Sequence, residues 1–408
     1  MSDLLYISNI FVRELRDLSG FNIPLLEDEK KHLIITGKNG SGKTTLLKAL
    51  NDLLSFIPTQ RYEQYIDLVN HVDNINEKIS AGFVGASYNK EQLSKFVKMR
   101  DDMSCLNVGF NRKISDEDSK RVLVSYFGSH RSIDHSLPKG IYKVDYKEKY
   151  KPQEKINSHF IQHIVNLKAE RSFARDDNEE KVVRLIDQWF DRFEKSLQDI
   201  LEEPELKLIF DRKEFNFDVS IPHREIFKLS DMSDGHTAIL SVLSEIIMRM
   251  EFMGSSSYEL PGIVLIDEIE THLHVGLQKK ILPFLTNFFP NVQFIITTHS
   301  PFVLSSIKDS VICDLQKKII TSDLSGYSYD ALIESYFDSN KYSNEIIDLV
   351  SRYEKLINED MYETAEAKDI CFYLDSLPKY LNENKELGLK IKQLELEVKE
   401  KKFQKNKG

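Results

Sequence analysis

The densest chemistry in the chain lies in Gly37-Lys38-Asn39-Gly40-Ser41-Gly42-Lys43-Thr44, a full match to GxxxxGK[ST]. Its glycines let the backbone fold into a nest whose N–H groups converge on phosphate oxygens, and a helix starting behind it adds its positive end. Gly37, Asn39, Gly40, Ser41, Gly42 and Thr45 are therefore expected to cradle the phosphates of a nucleotide. Lys43 would reach the β- and γ-phosphates, and the Thr44 hydroxyl would ligate Mg2+. A second feature is Ile263-Val264-Leu265-Ile266-Asp267-Glu268, an apolar run ending in two acids. A buried parallel strand of this kind sets Asp267 beside the phosphate loop, where it can hold Mg2+, usually through water. Glu268 then stands where it can orient or activate an attacking water. Two further motifs are Thr297-Thr298-His299-Ser300-Pro301, after another apolar run, and Met232-Ser233-Asp234-Gly235-His236, at the opening of a helix. Ser233 with free N–H groups at a helix start makes either an anion site or a plain cap. His299 is either a phosphate contact or a satisfied structural residue.

The elements that must position these residues are legible in outline. Strands are expected at 4–12, 21–23 and 32–35, the last feeding the glycine loop, with a helix over 44–54. Residues 57–120 read as mixed, polar and largely helical, with a strand near 105–110. A stronger strand runs over 122–127, a helical pattern covers about 153–200, and 206–210 with 215–219 suggest a hairpin. From 229 to 315 loop, helix and strand alternate as in an α/β core with a parallel sheet, and the runs 263–266 and 294–297 suit a sheet covered on both faces. After about 320 the pattern is helical and polar.

Taken together, the phosphate loop, Asp267-Glu268, the Thr-His-Ser-Pro stretch and the Ser233-Asp234-Gly235 helix start resemble the ABC-type ATPases. More narrowly they resemble the RecF/SMC/OLD-like group of AAA-family ATPases. Glu268-Ile269-Glu270-Thr271-His272-Leu273-His274 is similar to that group's DEPExHLHP stretch, with Ile269 and Val275 where prolines are usual. The resemblance covers roughly 1–56 and 205–315. It implies a P-loop NTPase of ABC type: a mostly parallel core sheet, an N-terminal antiparallel β subdomain, a helical insertion and a helical C-terminal extension. It also implies that Ser233 and Gly235 bind the γ-phosphate held by a second subunit, and that His299 is the switch histidine contacting the γ-phosphate and catalytic water. Asp234 departs from the pattern, since many relatives carry Gly or Ser there. The usual magnesium-sensing glutamine is not evident, and Ser129, His130 or Arg131 is a candidate for its place.

The expected organisation is an N-terminal core segment at 1–56, a mainly helical insertion at 57–204 with strands near 105–128, a C-terminal core segment at 205–318 and a helical extension at 319–408. The insertion leaves no room for the long coiled coil of true SMC proteins. Lysines and tyrosines interleave from Lys139 to Lys151, which suits either nucleic-acid contact or a solvated loop. Leu387, Ile391, Leu394 and Val398 form a seam for a partner helix or for the chain's own core. Nothing after Ser300 matches the TOPRIM nuclease domain that OLD-type proteins carry.

The 408 residues carry 55 Lys+Arg and 65 Asp+Glu, a net charge of −10, with 41% apolar residues. That balance excludes wholesale disorder and a surface built to coat nucleic acid. Three dispersed cysteines support neither a disulfide framework nor a zinc site, and no leader or membrane span is expected, so the chain reads as cytoplasmic. The resulting expectation is a hydrolytic ATPase switch, similar to those of bacterial anti-phage systems such as Septu and retron-associated modules. It would dimerise, or form a higher oligomer, around ATP and Mg2+ and regulate a separate effector, a nuclease or other protein docked on the insertion or extension. The competing readings are a RecF/SMC-like DNA repair ATPase acting directly on DNA, a nucleotide-gated scaffold with little turnover, and a membrane-transporter ATPase subunit. The long insertion and the His-Leu-His loop disfavour the last.

Overall fold

Strands that are apolar along their whole length need cover on both faces, and the topology supplies it. The computed structural model describes residues 4–16, 18–81, 86–115, 117–129, 131, 138–144, 150–232, 234–253, 259–329, 331–332, 344–376 and 385–405. Ser233, His130 and positions 145–149 of the lysine–tyrosine stretch lie outside them. The described chain forms two units, 1–327 and 328–408.

In the first unit, β1 (Ile7–Leu15) and β2 (Leu18–Pro24) precede β3 (His32–Thr36), which delivers the chain to the phosphate loop and α1 (Lys43–Leu54). Helices α2 (Tyr62–Ser80) and α3 (Ala86–Met103) follow, then β4 (Leu106–Phe110) and β5 (Leu123–Phe127). Helices α4 (Phe160–Asp176) and α5 (Glu180–Leu201) lead to β6 (Lys207–Asp211), β7 (Asn216–Ser220) and β8 (Phe227–Lys228). The rest is α6 (Asp234–Phe252), β9 (Gly262–Ile266), α7 (Val275–Phe288), β10 (Val292–Thr297), β11 (Ser310–Asp314) and β12 (Ile319–Ser322).

Among the described residues three sheets result. The central one has the order β12-β11-β3-β10-β9-β5, parallel throughout except for the terminal β11–β12 hairpin. β1 pairs antiparallel with both β2 and β4, so the N-terminal subdomain borrows a strand from beyond α3. β6, β7 and β8 form the third, also antiparallel. One face of the central sheet, through Leu33, Ile35, Val124, Ile263, Leu265, Ile295 and Cys313, joins α1 and the β1–β2–β4 sheet in a single apolar core. Alternate residues such as Ile34, Val264, Phe294 and Ile312 point to the other face and are fully buried as well.

This arrangement corrects one expected boundary. Residue 319 is not the start of a helical extension, because β12 pairs with β11 over 319–322 and closes the central sheet. The sequence pattern likewise assigns no strand to Ser310–Asp314, yet it pairs in parallel with β3.

In the second unit, α8 (Asn344–Asn358), α9 (Ala365–Ser376) and α10 (Lys385–Lys405) share a small core. Ile391 and Leu394 are buried there against Tyr353, Ile357 and Ile370, with Val398 packed alongside. These three seam residues are therefore covered within their own unit rather than left open for a partner helix, and the Leu387 side chain lies outside what the structure describes. No helix among the described residues is long and apolar enough to cross a membrane.

Candidate nucleotide site

Parallel sheets place ligand sites outside the carboxyl ends of their strands. Here the order β3-β10-β9 brings three such ends side by side. Thr297 pairs with Ile35 of β3, and Ile296 with Ile266 of β9. The phosphate loop after β3, the Thr-Thr-His after β10 and the two acids after β9 thus emerge in a row.

The loop itself needs its glycines. Gly37, Gly40 and Gly42 have φ of +135°, +84° and +95°. At Gly37 a Cβ would also lie 2.9 Å from Ser41 Oγ. Gly42 is the N-cap of α1 and supplies no side chain of its own, leaving the first N–H groups of the helix for a ligand. The Lys43 ammonium folds back over the loop and donates to Gly37 O at 2.8 Å and Lys38 O at 3.1 Å. Burial lowers its pKa, and the carboxylates of Glu268, Glu270, Asp267 and Asp314 oppose that shift.

Asp267 is the hub. Its Oδ1 accepts from Thr44 Oγ1 at 3.2 Å and from Thr297 Oγ1 at 2.7 Å. Thr297 Oγ1 in turn accepts from the Glu268 N–H at 2.7 Å, so one hydroxyl fixes both acids. The hydroxyl of Thr44 and a carboxylate oxygen of Asp267 converge as hard oxygen ligands do, and this donor set fits Mg2+. Glu268 itself has φ +47°, in the left-handed region that a side chain rarely adopts.

Glu270 holds the segment after β10: its Oε1 accepts from the His299 N–H at 2.5 Å. Glu270 Oε2 and His299 Nε2 are both buried, and neither makes a hydrogen bond among the described residues. Burial and the neighbouring Lys43 lower the His299 pKa, against the pull of Glu270 and Glu268, which keeps the imidazole neutral at neutral pH. Ser300 caps the turn that follows, accepting from Phe302 N–H and donating to Gln278 Oε1 at 2.7 Å.

Of the residues expected at the site, Gly37 to Thr44, Asp267, Glu268 and His299 are brought together at these strand ends. Gly235 is placed against the loop that follows Glu268, where a Cβ on it would lie 2.9 Å from His272 O. His236 beside it faces His274 with ring centroids 6.4 Å apart. Among the candidates for the magnesium-sensing position, Arg131 does not serve: its side chain is spent on backbone carbonyls of the acidic loop. Sequence reading gave no role to Thr297 or Glu270. Thr297 could have been found as the residue that ends β10 one step beyond the Ile296–Ile266 pair. Glu270 gives no such signal until the chain is folded.

The chain is similar to several known proteins. Residues 106–305 match the family described as “AAA domain, putative AbiEii toxin, Type IV TA system”. The retron Vc95 probable ATPase of Vibrio cholerae is 24% identical over an alignment covering 89% of this chain and 87% of that protein. The described fold itself is of the α/β class, with a mostly parallel central sheet. Septu protein PtuA of Bacillus mycoides is 27% identical over 85% of this chain, which spans 46% of that longer relative. Among solved structures, an SMC head bound to the C-winged helix domain of ScpA aligns with 78% of this chain and 99% of its own, at 12% identity and a TM-score of 0.37.

Proposed function

We propose that this chain hydrolyses ATP and acts as a switch in anti-phage defence, closing as a dimer around two ATP molecules and thereby controlling a separate effector. The observation that carries the reading is the joint made by Thr44, Asp267 and Thr297 between the phosphate loop and the two acids. An ordinary glycine-rich turn has no reason to share a carboxylate with a neighbouring strand. The similarity to the retron ATPase and to Septu PtuA supports the defence setting.

In this reading the loop N–H groups and Lys43 bind the β- and γ-phosphates, and Thr44 and Asp267 hold Mg2+. That ion, when bound, neutralises charge on the phosphate oxygens. Glu268 orients water for in-line attack on the γ-phosphate, and His299 offers its free Nε2 to the same phosphate. Ser233 and Gly235 are assigned to the ATP of the opposing subunit, and the insertion and the C-terminal unit to the effector. Steady-state turnover tests the reading. Wild-type protein should release phosphate from ATP with Mg2+ and not with EDTA, whereas Lys43→Ala and Glu268→Gln should lose turnover by about 100-fold or more. Equal turnover in wild type and both variants would remove the assignment.

A further inference from the structure

Past β5 the chain turns at Gly128, and Arg131 sends its side chain beneath the acidic loop. Arg131 Nε donates to Gly128 O at 3.2 Å, which sets the plane of the guanidinium. Nη1 donates to Ile269 O at 3.1 Å, and Nη2 to Glu268 O at 2.7 Å and to Asp267 O. One side chain thus grips three consecutive carbonyls. The N–H groups of the same three residues are held from the other side: Asp267 by Phe127 O at 2.8 Å, Glu268 by Thr297 Oγ1 at 2.7 Å, and Ile269 by Thr297 O at 3.1 Å.

A turn with a non-glycine residue in the left-handed region persists only when its surroundings over-determine it, at a cost of order 1–3 kcal/mol. Glu268 is that residue, with φ +47°. Arginine suits the task because its planar fork carries five donors and stays charged when buried. Burial pushes its pKa down only to about 10, which leaves it a cation at neutral pH. With its donors committed to carbonyls, Arg131 does not reach a phosphate as an arginine finger would.

We propose that Arg131 is a positioning residue: it clamps the backbone at Asp267, Glu268 and Ile269 and so fixes the direction in which the Glu268 carboxylate points. The proposal rests on the ATPase reading for its catalytic consequence, while the clamp itself is independent of it. Because a misplacement of about 1 Å costs on the order of 100-fold in rate, losing the clamp should act on turnover and spare nucleotide binding.

Three variants and three readouts test it. Arg131→Ala should lower kcat about 100-fold while binding a fluorescent ATP analogue as tightly as wild type; added guanidinium ion should restore part of the rate. Arg131→Lys, which keeps the charge without the fork, should fall between them, and it serves if the alanine variant fails to fold. Hydrogen exchange over 262–274 reads the clamp without turnover: amides of the acidic loop should exchange faster in Arg131→Lys and Arg131→Gln, with α1 unchanged. Wild-type kcat in Arg131→Lys, or unchanged exchange across 262–274, overturns the proposal, as does an equal loss of ATP affinity and kcat. A wild-type protein without ATPase activity would instead sink the ATPase reading, and the exchange result would still decide the clamp.

Discussion

Two threonines and one carboxylate oxygen make the central joint of this protein. Asp267 Oδ1 takes hydrogen bonds from Thr44 and Thr297, and Thr297 also holds the Glu268 amide. Thr297 is fully buried, so replacing it with valine keeps the volume while stranding the part-buried Glu268 N–H and removing a donor to Asp267. Thr297→Val should therefore cost about 1–3 kcal/mol in urea unfolding. It should also raise the Mg2+ concentration needed for half-maximal turnover, because Asp267 loses one of the two groups that aim it. Wild-type stability and an unchanged Mg2+ requirement would show that the hydroxyl is incidental. At this scale the sequence was informative wherever chemistry is contiguous. The glycine spacing and the Asp267-Glu268 pair could be read directly, since each is a local pattern with a local cause. Glu270 and Arg131 could not be read in that way. Their partners, the His299 amide and three carbonyls 136 to 138 positions away, exist only once the strands are ordered.

At the scale of elements, the sheet order decides where the chemistry sits, and α6 braces the edge. Arg249 of α6 pairs with Glu245 at 2.8 Å, and both are buried. Glu245 also accepts from the N–H groups of Ile156 and Asn157, while Arg249 donates to the carbonyls of Lys151, Pro152 and Glu154. The 151–157 strap thereby covers β5, whose Tyr126 N–H donates to Pro152 O at 3.0 Å. Removing one member of a buried pair leaves an uncompensated charge, so Arg249→Ala should destabilise the protein by about 3–5 kcal/mol in chemical denaturation. A loss below about 1 kcal/mol would mean the strap is held by other contacts. The parallel strands were evident as continuous apolar runs, whereas β11 and β12 were hidden. Ser310–Asp314 is short and begins and ends on polar residues, and its strand state comes from pairing with β3 rather than from its own pattern. Ile391 and Leu394 show the reverse case: the heptad-like spacing was real, and the chain's own helices fill it.

For the molecule as a whole, charge and division into units bear on how it would work. The net charge is −10, and a local positive site is built into the phosphate loop around a buried Lys43. A predominantly acidic chain is better matched to a protein partner than to the backbone of DNA, in line with effector control. The central claim is that ATP joins two copies of this chain, each supplying its phosphate loop to one nucleotide and its α6 start to the other. Sedimentation velocity of Glu268→Gln with ATP and Mg2+ tests that claim most directly. The account predicts a stable dimer that reverts to monomer when ATP is withdrawn and does not form when Lys43→Ala is added to the same chain. A sedimentation coefficient unchanged by ATP would contradict it.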